Sequence, residues 1–325
     1  MNIPTVSSEH IELGAKHKGG CVMFTFNHGI DEGFVKKLNA EYERGGWWRS
    51  MAADPDLFIA IRDRYVNVYW NGSSLLKLTL DGEQLVGETH YKYLLRNDTR
   101  KPYVRVDDGV VKLPDAAALF HADLSDVAAL KQAAAAHVGE EKAGVHQIVL
   151  SNPNVVDVEV TFGMEGNGEK APATRRIDFA ALRPATGGAE IVFYEAKLFS
   201  NKEVRANGDT PPPVAGQIEG YRRLLVQHAP SVERSYRKVC GNLAALQGVR
   251  DRYAASLDLM GRLTSGQAGL NVSEAVSLVV FGFDRDQRDG QVWGAHRAKL
   301  EAALGERLLL KGDPQKFTRG ISAPA

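Results

Sequence analysis

The sequence predicts an α/β protein in two parts: an N-terminal α+β domain containing an antiparallel meander, residues 1–115, and a domain over residues 116–325 with a mixed central sheet flanked by helices. Three observations carry this expectation. Between Leu57 and Leu95, β-branched and aromatic runs are split by Asn71-Gly72 and Asp81-Gly82, dipeptides that tolerate the positive φ angles of tight hairpins. Beyond Leu113-Pro114 helical and strand-like segments alternate, as in a layered α/β domain. The chain is 325 residues long, more than one compact domain ordinarily needs.

The elements follow in order. Phe34, Leu38 and Tyr42 recur at helical spacing within Gly29 to Tyr42, and the GGWWRS segment after them reads as a loop. The meander comes next. In the second part, Leu124 to Val138 is rich in Ala and Leu at helical spacing, and Glu140 to Leu150 is a second helical stretch that stops at SNPN. VVDVEVTFG, RRIDFAALRP and AEIVFYEAKLF are three short β-rich segments separated by Gly- and Pro-containing turns. A long connection, Phe199 to Pro213, is stiffened by three prolines and leads into a helix over Val214 to Gln227. Helical material to about Leu263, the strand SLVVFGF, the amphipathic helix WGAHRAKLEAALG and the strand RLLLKG complete the chain.

Composition narrows the function classes. The apolar fraction is 44% and the charged fraction 25%, ordinary for a globular protein. The longest apolar runs, such as Ala275 to Phe283, fall short of the ~20 residues a membrane span requires, so no membrane partner is expected. The opening residues, MNIPTVSSEHIELG, lack a basic stretch followed by an apolar one, so no signal peptide is read and a cytoplasmic location is expected. Cys21 and Cys240 stand alone with no CxxC spacing, which supports neither a disulfide framework nor a zinc site. Formal net charge is zero, so any affinity for nucleic acid must come from a local patch. No phosphate-binding Gly-rich loop is present, which speaks against ATP hydrolysis.

The chemistry concentrates in the second and third β segments of the C-terminal part. Asp178 lies inside one, and Glu195 and Lys197 lie two apart near the end of the next, on one face by the period of two. Two carboxylates from adjacent strands can hold a hard divalent cation, whose remaining positions go to water and phosphate oxygens. Lys197 adds an ammonium able to orient an attacking water or to stabilise charge at phosphorus. Downstream, Gln217 and Tyr221 lie one helical turn apart on one face.

The order IDF, YEAK and then Gln217-Ile218-Glu219-Gly220-Tyr221 resembles the PD-(D/E)XK nuclease superfamily, in particular its RecB-like branch with the QxxxY motif. The likeness covers roughly residues 124 to 300 and departs where Ile177 replaces the Pro of the motif. It implies a restriction-endonuclease-like core and a metal-dependent phosphodiesterase using Mg²⁺ or Mn²⁺, a deoxyribonuclease and an endonuclease rather than an exonuclease, serving restriction, repair or defence. It also implies an acidic residue on the helix before the first strand. Glu141 fits, because it shares a helical face with Val145 and Ile148. Asp178, Glu195 and Glu141 are then the metal ligands, Lys197 assists attack, and Gln217 and Tyr221 shape the site. Arg222, Arg223, Lys202 and Arg205 are candidates for substrate phosphates. His146 is expected to be a packed residue near the site. DNA is the expected partner, and a homodimer would supply two cuts. The rival reading is a non-catalytic nucleic-acid-binding or assembly module on the same fold.

The N-terminal part holds Trp47, Trp48, Arg49, Arg62, Arg64, Tyr69, Trp70, Lys92, Tyr93, Arg96, Arg100 and Lys101. Basic and aromatic side chains together suit nucleic acid or a protein partner. The same residues equally suit a sheet core.

Overall fold

The computed structural model describes residues 23–94, 103–112, 124–165, 176–313 and 321. The N-terminal part begins with β1 (Met23–Thr25), α1 (Glu32–Arg44) and α2 (Trp47–Ala52). Asp31 caps α1 by accepting from the Phe34 amide at 2.8 Å. The loop expected at GGWWRS is instead a helix from Trp47 onward, because Trp47, Trp48, Met51 and Ala52 are all buried. Tertiary burial overrides the two preceding glycines, which only set the break between the helices.

The meander runs as β2 (Phe58–Ile61), β3 (Tyr65–Trp70), β4 (Ser73–Asp81) and β5 (Gln84–His90), and continues into β6 (Tyr103–Asp107) and β7 (Val110–Lys112). All six strands pair in sequence order. Asn71 and Gly72 both take positive φ, 45° and 71°, between the paired residues Trp70 and Ser73, which is the two-residue hairpin the dipeptide favours. Asp81 pairs with Gln84, so the second turn is Gly82-Glu83 and Asp81 ends its strand.

The second part contains α3 (Val127–Ala135), α4 (Glu140–Ser151), β8 (Val155–Thr161), β9 (Gly163–Glu165), β10 (Arg176–Ala185) and β11 (Gly188–Leu198). Then come α5 (Pro213–Ala245), α6 (Leu257–Thr264), β12 (Gly269–Phe281), α7 (Arg285–Asp289), α8 (Gln291–Leu304) and β13 (Leu308–Lys311). The central sheet has the order β13-β12-β11-β10-β8; β8, β10 and β11 are antiparallel neighbours, and β12 and β13 join parallel to β11. The architecture is α/β with two principal sheets, one an antiparallel meander and one mixed.

Strand β11 sits in the middle because both of its faces are apolar and both are covered. Ile191 and Phe193 join the large apolar cluster that contains Val214, Ile218, Tyr221, Leu225, Val232, Tyr236 and Val239 of α5. Val192, Tyr194 and Ala196 join a second cluster with Ile148 and Val149 of α4 and with Phe58, Ala60 and Tyr69 of the meander. Phe179 and Tyr194 stack across β10 and β11 with centroids 4.9 Å apart. The meander thus meets the α4 side of the central sheet through Phe58, Ala60 and Tyr69, while its Ile59, Ile61, Val66 and Val68 belong to the cluster shared with α5. The expected division near residue 115 lies outside the described residues, but contacts cross it: β1 pairs with β9.

A β-bulge on β8, opposite Ala180 and Ala181, carries the most buried charge. Asp157 has no solvent exposure and is held by Arg62 of the meander, by His28 at 3.1 Å and by the Tyr236 hydroxyl, which donates at 3.0 Å. Arg62, a candidate for nucleic acid on sequence grounds, is a buried tie between the two parts, its guanidinium also reaching the Val158 carbonyl. Tyr69 and Tyr93 are buried as well, Trp47 donates to Glu41 at 3.2 Å, and Arg64 is exposed beside Asp63. Arg96, Arg100, Lys101 and Cys21 lie outside the described residues. Cys240 is buried in the core, which pushes its thiol up to about 12. Among the described residues no helix is long and apolar enough to cross a membrane.

Candidate active site

Near the C-terminal end of β11 the sequence interrupts an apolar strand with two charged residues, and the fold must compensate both. Glu195 and Lys197 are 2% and 8% exposed. Buried charges are tolerated only when paired and hydrogen-bonded. The Lys197 ammonium donates to Glu195 Oε1 at 2.9 Å and to Glu203 Oε2 at 2.7 Å. Glu195 Oε1 also accepts from the Gln217 amide at 2.9 Å. Gln217 in turn donates to the Tyr221 hydroxyl at 2.6 Å, and that hydroxyl donates to the Arg176 carbonyl at 2.5 Å. The helical turn between Gln217 and Tyr221 therefore places both on one chain of hydrogen bonds that ends on β10.

Asp178 completes the group from the neighbouring strand. The antiparallel pairing ends at Phe179 and Tyr194. One step further on, the Asp178 carboxylate replaces a backbone partner by accepting from the Ala196 amide at 2.7 Å. Burial and then the charge of Glu195 hold the Asp178 carboxyl well above the ordinary carboxylate range, against the pull of the Ala196 amide. Glu195 is pushed up to about 7, by burial first; Lys197 opposes this, while Glu203 and Glu141 add to it. Burial alone would lower the Lys197 ammonium, but Glu195 and Glu203 outweigh it and raise the group above its usual value. Glu195 Oε2 is buried and has no hydrogen-bond partner among the described residues.

Glu141 reaches the same end of the sheet from α4. Gly144, one turn on, lets the helix lie against β12, because a Cβ there would overlap the Phe281 ring. Glu141 Oε2 accepts from the Leu198 amide at 2.9 Å and from the Asn201 side chain at 2.7 Å. It is therefore a clasp on the strand end, beside the carboxylate pair. Among the described residues no group of three or more His, Cys, Asp or Glu side chains is gathered as a metal cage. Asp178 and Glu195 are near enough for the charge of Glu195 to raise the Asp178 carboxyl.

No family model, characterised protein or solved structure matches the chain.

The remaining candidates separate from this centre. Arg222 and Arg223 are on the outer side of α5 and pair with Glu219, Arg222 at 2.8 Å and Arg223 at 3.9 Å. Lys202 is exposed on a 3-10 turn, Lys202–Val204, inside the long connection. Arg205 is stacked between Phe199 and Trp293, its guanidinium 4.4 Å and 4.6 Å from the ring centroids. His146 is packed, with Nε2 2.8 Å from the Asp56 carbonyl, and burial lowers its pKa. Two residues of the site lie outside the expected set. Glu203 and Asn201 come back from the connection to meet Lys197 and Glu141, and only the fold of that connection reveals it; Asn201 signals itself as the cap of the short turn.

Proposed function

We propose that the chain is a divalent-metal-dependent nuclease of the PD-(D/E)XK type that hydrolyses phosphodiester bonds in DNA, as an endonuclease. The observation that carries this reading is the meeting of Asp178, Glu195, Lys197, Gln217 and Tyr221, separated by up to 43 positions in sequence, at one end of the central sheet. The succession of α4, three antiparallel strands β8, β10 and β11, and then α5 agrees with the restriction-endonuclease-like core that the motif order implies.

The donor set fits a hard cation such as Mg²⁺ or Mn²⁺. Two carboxylates, both raised by burial and Asp178 also by the charge of Glu195, and a buried oxygen on Glu195 without a partner among the described residues are what such an ion would neutralise and satisfy. When bound, the ion supplies Lewis-acid stabilisation of charge at phosphorus and lowers the pKa of water. The chain's own residues do the rest. Lys197, fixed between two carboxylates, stays protonated and serves as a donor and counter-charge to the phosphate oxygens. Gln217 fixes the rotamer of Glu195, and Tyr221 fixes Gln217 against the backbone of β10. Glu203 keeps the ammonium of Lys197 in place.

A second reading, a nucleic-acid-binding module without catalysis, is favoured by Glu141 being committed to Leu198 and Asn201, which leaves two acids for a metal. Mn²⁺ binding separates the readings. Calorimetric titration should show one site on the wild-type chain that is lost in Asp178→Ala and in Glu195→Gln. Binding of Mn²⁺ that ignores both substitutions overturns the nuclease reading, and DNA binding that weakens with salt but is indifferent to EDTA supports the module.

A further inference from the structure

A cleft of about 190 Å³ opens beside Asp178, between α4 and the meander. Its lining includes Val145 and Val149 of α4, Val158 of β8 and Tyr69. Lys142 and Arg176 also line it, together with the acids Glu141, Glu159 and Asp178. We infer that this cleft receives one unpaired nucleotide of the nucleic-acid substrate, so that the chain acts on single strands or frayed ends in preference to intact duplex. The inference rests on the nuclease reading of the Asp178–Glu195–Lys197 site and adds its substrate class.

Three features carry it. The lining combines aliphatic side chains and a tyrosine, which suit a base, with the cations Lys142 and Arg176, which suit phosphate, and the acids Glu141, Glu159 and Asp178 stand among them. Arg176 is balanced by Glu159 at 2.6 Å, while exposed Lys142 forms no ion pair among the described residues. Asp178 lines the cleft, so a nucleotide seated in it would bring its own phosphodiester to that carboxylate. The space is narrow. The Asn71-Gly72 turn touches α4, since a Cβ on Gly72 would stand 2.8 Å from Lys142 Cβ, and the volume lies below the ~300–1,000 Å³ of typical ligand sites. One planar group fits where a base pair would not. A duplex would have to release a base from its stack to use the cleft, which a single strand does at least cost.

The test uses the full chain with an oligonucleotide carrying 2-aminopurine, offered as a single strand and as a blunt duplex, with Ca²⁺ present as an oxygen-seeking cation. Binding is read by anisotropy and the environment of the base by 2-aminopurine emission. Two variants act on the cleft: Val145→Trp fills it, and Lys142→Glu reverses its free cation at an exposed position where folding is not at stake. The expected result is single-strand binding at least about tenfold tighter than duplex binding, about 1.4 kcal/mol, with a change in base emission and loss of that preference in both variants. Equal affinity for the two forms, or Lys142→Glu and Val145→Trp chains that bind the single strand as wild type does, overturns the inference. Cleft-dependent binding of the single strand without metal-dependent cleavage supports the inference and overturns only the nuclease reading.

Discussion

The two carboxylate oxygens of Glu195 have opposite surroundings: Oε1 takes Gln217 and Lys197, and Oε2 is buried without a partner among the described residues. Asp178 and Glu195 are both raised in the folded chain above their unfolded values. A raised carboxyl contributes stability that is full below the unfolded pKa and is lost as pH rises through the folded one, which for Glu195 is about 7. In EDTA, the melting temperature of the wild type should therefore fall relative to Glu195→Gln as pH rises from about 5 to about 8. Scanning fluorimetry of the two chains checks this, and a gap that is constant with pH contradicts it. Gln217→Ala should lower metal affinity or turnover by roughly 10–100-fold, as loss of a group that orients a ligand does, with the melting curve little changed. A metal titration of activity reads it. At this scale the sequence was informative wherever spacing fixes geometry. Glu195 and Lys197 two apart on a strand, and Gln217 and Tyr221 four apart on a helix, had to share faces. Glu203 could not be foreseen, because no periodicity governs where a fifteen-residue connection returns.

Among the elements, α4 joins the site to the cleft. It carries Glu141 to the end of β11 and walls the cleft, and its distance from the sheet is set at Gly144 against buried Phe281. Gly144→Val should destabilise the chain by about 1–3 kcal/mol, the ordinary cost of forcing volume into a packed contact. Urea denaturation measures it, and a variant as stable as wild type would show that α4 is not seated as described. The strands and most helices were legible because their apolar periods are long. Two differences have clear causes. Helix α5 continues from the expected stop near Gln227 to Ala245 despite Pro230, because Val232, Tyr236, Val239 and Leu243 extend its buried stripe past the exposed proline. Strand β12 starts at Gly269, eight residues before the apolar run that announced it, because it pairs in parallel with β11 from Gly188 onward and backbone pairing needs no apolar side chains.

For the whole molecule, the bond between meander and central sheet is ionic at its heart. Arg62 and Asp157 are 3% and 0% exposed, and no composition rule distinguishes such an arginine from one that meets phosphate. Removing one partner leaves the other charge buried and uncompensated. Arg62→Met should cost about 3–5 kcal/mol, measured by denaturant titration, and a loss well under 1 kcal/mol would mean the pair is solvated. Because the large apolar cluster runs from Phe34 and Trp48 to Leu278 and Leu300, fluorescence and circular dichroism should report one shared unfolding transition. The proposed chemistry is that Asp178, Glu195 and Lys197 cut nucleic acid with a divalent cation. Its most direct test is a cleavage assay of the purified chain on plasmid and on single-stranded DNA and RNA, with Mg²⁺, Mn²⁺ or EDTA, beside Asp178→Ala. Cleavage that requires the metal and disappears in the folded variant is expected, whereas full cleavage by folded Asp178→Ala, or cleavage that persists in EDTA, would contradict the proposed chemistry.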